Sequence, residues 1–157
     1  MTRPQLDEKI WELHVSLLRL ALSILRHPQN AEDAVSRAML LAVQKLGTLH
    51  DPSALKPWLM QITARCAYDI QRREKRERLH MPLAENTCTL FECAEESLYA
   101  QLQRLPKALA QVLVLYYYEG YDTGDIARTL GIPAATVRMR LSRGRKRLKA
   151  IVEEEEA

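Results

Sequence analysis

The chain has 157 residues, 47% of them hydrophobic and 27% charged, which is enough apolar content for one or two cores and too much for a disordered protein. Its net charge is only +3 at pH 7, but the charge is patterned, because a basic run near the C-terminus is followed at once by four acids at 153–156. The first residues are polar and the most apolar run, 108–118, is too short to cross a bilayer, so the expectation is a cytoplasmic protein without direct membrane insertion.

Leu6, Ile10, Leu13, Leu17, Leu20 and Ile24 recur three or four apart and predict a first helix buried along one side, which His27-Pro28 stops. A second helix is expected from near Asn30, with Glu32 and Asp33 in its first turn. It should bury Val35, Met39, Ala42, Val43 and Leu46 before Gly47 ends it. Asp51-Pro52 initiates a turn, and a third helix follows from about Leu55 to Arg73, with Pro57 in its first turn. Its buried stripe is Leu55, Leu59, Ile62, Cys66 and Ile70, leaving Trp58, Gln61, Arg65, Asp69 and Arg72 on a more open face. A large ring beside guanidinium groups suits stacking on unpaired bases, although a half-buried packing ring is the simpler account of Trp58 alone.

Periodicity lapses over 77–94, which predicts a linker. Fully extended, such a segment reaches on the order of 60 Å, or between one and two turns of a duplex at about 3.4 Å per base pair. Helices resume near Glu95 with Leu98, Leu102 and Leu105, and Pro106 starts another through Tyr118 whose inward residues are Leu109, Val112, Leu113 and Tyr116. No strand pattern or repeat is visible. The fold class expected is all-α, with two small helical domains at 1–76 and 95–157 joined by a flexible linker.

The remaining stretch, YDTGDIARTLGIPAATVRMRLSRGRKRLK at 121–149, predicts a helix-turn-helix. Asp122 caps a short helix, Asp125 sits near its positive end, and Ile126, Ala127 and Leu130 give it an apolar face; Gly131 ends it and Pro133 leads into a second helix, Ala134 to Leu148, with no breaker except Gly144. There Val137, Leu141 and Leu148 form the inward stripe, while Arg138, Arg140, Arg143, Arg145, Lys146, Arg147 and Lys149 form a basic run without an acid. Such a helix would release counterions from a duplex. Ala135, Thr136, Met139, Ser142 and Arg143 are placed to meet base edges. Arg143 is the best candidate for a bidentate guanine contact, while Thr136 and Arg138 suit phosphate.

Three cysteines, Cys66, Cys88 and Cys93, lack metal-ligand spacing and His80 stands apart from them, so ordinary thiols are expected and neither metal nor cofactor. His14 and His27 read as ordinary helix histidines rather than ligands. No paired carboxylates, nucleophile–base arrangement or phosphate loop can be assembled, so no catalysis is expected. On the residues alone, a stand-alone dimeric DNA-binding regulator stays open.

With both halves read, the chain resembles the bacterial RNA polymerase sigma factors of the extracytoplasmic-function type, within the sigma-70 family. The clearest stretch is 104–149, with its leucine-proline, apolar helix, glycine, IARTLG and TVRMRLSRGRKRL in order. The resemblance implies that this half reads the upstream (−35) promoter element through Thr136, Arg138, Met139, Ser142, Arg143 and Lys146. It implies that the first half binds core RNA polymerase and opens the downstream (−10) element. NAEDAVSRAMLLAVQKL, 30–46, is similar to the helix that docks on the polymerase clamp, which assigns Asp33, Ser36, Arg37 and Leu40 to polymerase binding. The 48–56 loop would hold an extruded base, and Trp58, Gln61, Arg65 and Arg72 would guide the melted strand. Core RNA polymerase and promoter DNA are the partners so implied, and an anti-sigma factor is the inhibitor. Two departures stand out: Ser36-Arg37 where the family usually has Gln-Glu, and Arg65 where asparagine is common.

Overall fold

Thr2 closes a reciprocal cap at the start of the chain: its hydroxyl accepts from the Gln5 N–H at 3.4 Å, and the Gln5 side chain accepts from the Thr2 N–H at 2.9 Å. The helix it opens, α1 (Arg3–Leu25), begins a computed structural model that describes residues 1–78 and 96–156, with side chains at 1–77 and 100–156. Every regular element among the described residues is helical. They belong to two units, one within Met1–Thr87 and one within Cys88–Ala157.

The first unit contains α1, α2 (Pro28–Gln44), two single 3-10 turns (Leu46–Thr48 and Pro52–Ala54) and α3 (Leu55–Arg78). The one-sided burial expected of α1 holds only in its first half, at Leu6 and Ile10. Beyond Leu17 the helix is buried nearly all round, Leu18, Leu22 and Leu25 included, because α2 and α3 both pack against it. It ends at Arg26 in the left-handed region (φ 57°), a conformation that favours glycine and that the sequence does not signal.

His27 then does more than stop α1. Its Nδ1 accepts from the Asn30 N–H at 3.3 Å and caps α2, which starts at Pro28, earlier than expected. Glu32 and Asp33 therefore fall outside the first turn. The inner face of α2 is built mainly of alanine, at Ala31, Ala34, Ala38 and Ala42, with Val35. These small residues let the backbone approach its neighbours, and the bulkier Met39, Val43 and Leu46, expected inside, flank the contact half-buried.

All five expected core positions of α3 are buried, and so are Met60, Thr63, Ala64 and Ala67, because α3 packs against both α1 and α2. The buried Thr63 hydroxyl donates to the Leu59 carbonyl at 2.8 Å, and that of Ser23 to Leu20 at 2.6 Å, so neither is left unsatisfied. Gln71 Nε2 donates to the Ile24 carbonyl at 3.1 Å and Asn30 Nδ2 donates to Glu74, tying the far end of α3 to the α1–α2 junction. α3 runs through Arg78, so Glu77 and Arg78, read as the first linker residues, are helical. The rest of the expected linker, with His80, Cys88 and Cys93, lies outside the described residues. Burial pushes the Cys66 thiol above its ordinary value, which keeps it protonated and unreactive.

The second unit contains α4 (Glu96–Gln103), α5 (Lys107–Tyr117), α6 (Thr123–Leu130) and α7 (Ala134–Glu156). Leu102 and Leu105 are buried as expected, and the Leu98 side chain lies outside the described residues. α5 is the hub, with α4, α6 and α7 all against it, and seven consecutive residues from Leu109 to Leu115 are buried. Tyr116, expected inside, is 37% exposed. The inward stripe of α7 is Val137, Leu141 and, unexpectedly, Gly144, whereas Leu148 is half-buried. A Cβ at Gly144 would stand 3.0 Å from Leu113 Cδ1, 3.2 Å from Leu113 Cγ and 3.6 Å from Leu109 Cβ. What reads in sequence as a helix breaker is a point of close approach between α7 and α5.

Gly144→Val is accordingly expected to destabilise the second unit by about 1–3 kcal/mol through overpacking, seen as a lower midpoint in thermal unfolding. Tyr121, 9% exposed, supplies a pH test. Burial, then the Glu119 and Asp125 carboxylates, push its phenol from 10.0 up to about 12. Because the folded-state value is the higher one, the stability tied to the neutral phenol is full below pH 10.0 and is lost as pH rises toward 12. Tyr121→Phe should lack that part of the alkaline limb, as read by denaturant titrations across that range.

Candidate nucleic-acid interface

The second half presents its chemistry through the α6–turn–α7 segment. α6 starts with a reciprocal cap, the Asp125 N–H donating to Asp122 Oδ1 at 2.8 Å and the Asp122 N–H to Asp125 Oδ2 at 3.5 Å. Gly131 (φ 70°) closes it in the left-handed region, and the Gly131 and Ile132 N–H groups both donate to the Ala127 carbonyl. α6 buries Ile126, Thr129 and Leu130, whereas Ala127, expected on the apolar face, is half-buried. With the turn fixed this way, α7 leaves at a set angle and its register against α5 is locked by Val137, Leu141 and Gly144.

At 100° per residue, Ala135, Met139, Ser142 and Lys146 lie opposite that buried stripe, with Arg143 beside them. The structure leaves Arg138, Met139, Ser142, Arg143 and Lys146 exposed and Thr136 half-buried. All six residues assigned from sequence to the upstream element are thus on one helix, clear of its packing face. Met139 is 43% exposed although apolar. A groove of about 560 Å³ runs along this side, walled by Pro106, Ala108 and Leu109 opposite Met139, Arg140, Arg143, Lys146 and Arg147. Its floor is apolar and its rim cationic.

Not every cation of the run faces outward in the same way. Arg145 lies over the Tyr116 ring, its guanidinium carbon 4.6 Å from the centroid, and Tyr117 meets Tyr116 edge-on at 5.1 Å. The acids at 153–156 extend α7 rather than forming a loose tail. Glu154 and Glu155 pair with Arg104 at 3.1 and 3.3 Å, and Gln101 donates to Glu155 at 2.7 Å.

In the first half, Trp58, Gln61, Arg65 and Arg72 share the less buried side of α3, the first two half-buried and the arginines exposed. Arg72 pairs with Asp69 on the same helix. Before α3, Asp51 Oδ1 accepts from the Ser53 hydroxyl at 2.7 Å and its N–H at 3.0 Å, which shapes the exposed loop; the two bonds hold the Asp51 carboxyl below its ordinary value.

On α2, Asp33, Ser36 and Leu40 are exposed, Leu40 by 66%, and Arg37 is half-buried. Arg37 reaches back one turn to pair with Asp33 at 3.2 Å, so the cation that departs from the family pattern sits on the acid assigned to polymerase. Sequence reasoning missed Trp11, which is 78% exposed and lies with Ile10, His14, Val35, Ser36 and Met39 along a groove of about 620 Å³ between α1 and α2. It lies off the apolar stripe of α1, where a single ring gives no periodic signal. Among the described residues no set of three or more histidines, cysteines or acids could hold a metal ion, and no helix is long and apolar enough to cross a membrane.

Comparison with known proteins gives the arrangement a lineage. Sigma-70 region 2 matches residues 11–77 and sigma-70 region 4 matches residues 95–148. The chain is 31% identical to the extracytoplasmic-function RNA polymerase sigma factor SigM of Mycobacterium tuberculosis, over 93% of this chain and 76% of that protein. It is 35% identical to a probable RNA polymerase sigma factor, RfaY, of Xanthomonas campestris, over 80% of this chain but only 35% of that longer protein. Among solved structures, the sigma factor RpoE of Bartonella quintana, crystallised with the anti-sigma factor NepR, superposes with a TM-score of 0.75 at 22% identity, covering 94% of this chain and 96% of that one. CnrH, solved with the cytosolic domain of CnrY, gives 0.68 at 21% identity over 98% of this chain and 90% of that one. By its likeness to SigM and by both regional matches, the chain belongs to the extracytoplasmic-function sigma factors of RNA polymerase, a family of transcription initiation factors.

Proposed function

We propose that the protein binds core RNA polymerase through α2, reads a −35 element with α7, and uses the loop before α3 with the open side of that helix to capture the unpaired strand of the −10 element. The observation that carries this reading is the family likeness through both helical units, which a stand-alone DNA-binding regulator would leave unexplained in the first. It acts in the cytoplasm and has no catalysis of its own. Holding an extruded base in the loop shaped by Asp51 and Ser53 offsets the few kcal/mol of unstacking. Trp58 then offers a ring, and Arg65 and Arg72 offer charge, to the strand that follows.

Division of labour between the units follows. Asp33, Ser36, Arg37 and Leu40 form the polymerase-facing surface, and Trp11 extends it with an apolar area. The Asp33–Arg37 pair keeps 50% and 41% of its two side chains exposed and, like other surface pairs, contributes about 0–1 kcal/mol, so a partner can displace it at small cost. Thr136, Arg138, Met139, Ser142, Arg143 and Lys146 form the −35 surface. An anti-sigma factor is the expected inhibitor and would act by covering one of these surfaces.

The test is co-elution with bacterial core RNA polymerase on a sizing column, paired with salt-dependent binding of the resulting complex to promoter duplex. Asp33→Ala should weaken co-elution while leaving the fold intact. Arg143→Ala should spare co-elution, weaken duplex recognition by about 1–3 kcal/mol and lower the salt slope by about one. If each variant lost both activities equally, the assignment of polymerase and upstream DNA to separate surfaces would fail.

A further inference from the structure

The recognition helix carries a restricted set of side chains, and that restriction limits which bases it can read. From Ala134 to Lys149 there is no asparagine, glutamine, aspartate or glutamate. Adenine is read bidentately by an amide and the cytosine amino group by a carboxylate, so neither mode is open to this helix. Its outward face offers cations, two small hydroxyls, and an apolar pair, Ala135 and Met139, one turn apart. Cations read guanine through O6 and N7; in the major groove the apolar feature is the thymine C5-methyl group.

Met139 is the unusual member. It is 43% exposed, lies off the Val137–Leu141–Gly144 packing stripe, and lines a groove with Arg140 and Arg143, where no apolar residue is required for phosphate binding. The apolar wall of that groove, Pro106, Ala108 and Leu109, accounts for the covered part of Met139, but its exposed 43% lies among cations and gains nothing from a polyanion alone. It gains from an apolar group presented between phosphates. Met139 and Arg143 are one turn apart on the same face, about 6 Å along the helix axis, which corresponds to about two base pairs at 3.4 Å each.

Resting on the −35 assignment of α7, we infer that Met139 is a specificity-determining residue that packs on a thymine methyl group within about two base pairs of the guanine held by Arg143. Ala135, one turn nearer the start of the helix, extends the same apolar strip. Guanine and thymine methyls, on either strand, are then the strongest features of the upstream element so read, and any direct contact to adenine or cytosine is left to the single hydroxyls of Thr136 and Ser142.

The experiment uses the full chain bound to bacterial core RNA polymerase. Random-sequence duplexes are selected with this complex, and the enriched site is then resynthesised with uracil replacing each thymine in turn. Expected are enrichment of a thymine within about two base pairs of a guanine and, at that thymine, a three- to fivefold weaker capture with uracil, the size of one lost methyl contact. Met139→Ala should bind the thymine and uracil duplexes equally, while Arg143→Ala should keep the thymine preference and lose the guanine preference. Sequence enrichment without a methyl effect, or a methyl effect that survives in Met139→Ala, overturns the inference and leaves the −35 reading standing. Failure of the complex to enrich any sequence overturns both.

Discussion

Helix α7 is set against α5 by a close contact at a glycine, Gly144. At Gly144 the backbone of α7 stands over Leu113 and Leu109, where an added Cβ would meet Leu113 Cδ1 at 3.0 Å and force that side chain to give way, so α5 and α7 pack at close range for part of their length. That approach sets where the opposite face of α7 points. Val137 and Leu141 continue the contact toward the start of the helix, and the fixed turn at Gly131 sets where that start lies. The side chains proposed to read bases are then positioned by packing on their far side, with no need for a partner of their own. Glycine costs a helix interior about 1 kcal/mol against alanine, and here the close contact offsets that cost.

Much of this was legible in the sequence, and the failures have physical causes. Element type was clear because the helices have strong apolar periodicity, and the helix-turn-helix was clear because Asp122, Gly131 and Pro133 each have a defined role at a helix end. Periodicity was less informative where an element is surrounded. The second half of α1 and the Leu109–Leu115 stretch of α5 are buried on every side, and a stripe pattern cannot indicate that. Gly144 read as an interruption because a glycine's use as a packing surface depends on the neighbouring helix. His27 read as a boundary and not as a cap because histidine is an uncommon capping residue.

The site was legible to a different degree in the two halves. On α7 the basic residues fall off the packing stripe whatever the tertiary detail, so helical geometry alone places them outward. In the first half, what distinguishes Trp58 and Trp11 is how far neighbouring helices cover each ring, and that is a property of the assembled unit. The family resemblance supplied roles there that residue chemistry could not. It could not foresee the Asp33–Arg37 pair, which joins a residue of the expected docking set to the residue that departs from it.

α7 also ends in charge of the opposite sign to its middle. Its basic segment, 138–149, and its acidic end, 153–156, have centres roughly 16 Å apart along the axis at 1.5 Å per residue, about twice the ~8 Å screening length of physiological salt. Lys149 pairs with Glu153 at 3.9 Å across the boundary, and Arg104 and Gln101 engage Glu154 and Glu155, but at that separation the acids do little to neutralise the rest of the basic run. The helix is therefore a permanent electric lever: near a polyanion its middle is pulled in and its end is pushed away. A polyanion approaching the unit would thus turn it as well as attract it, bringing the side proposed to read bases toward the duplex.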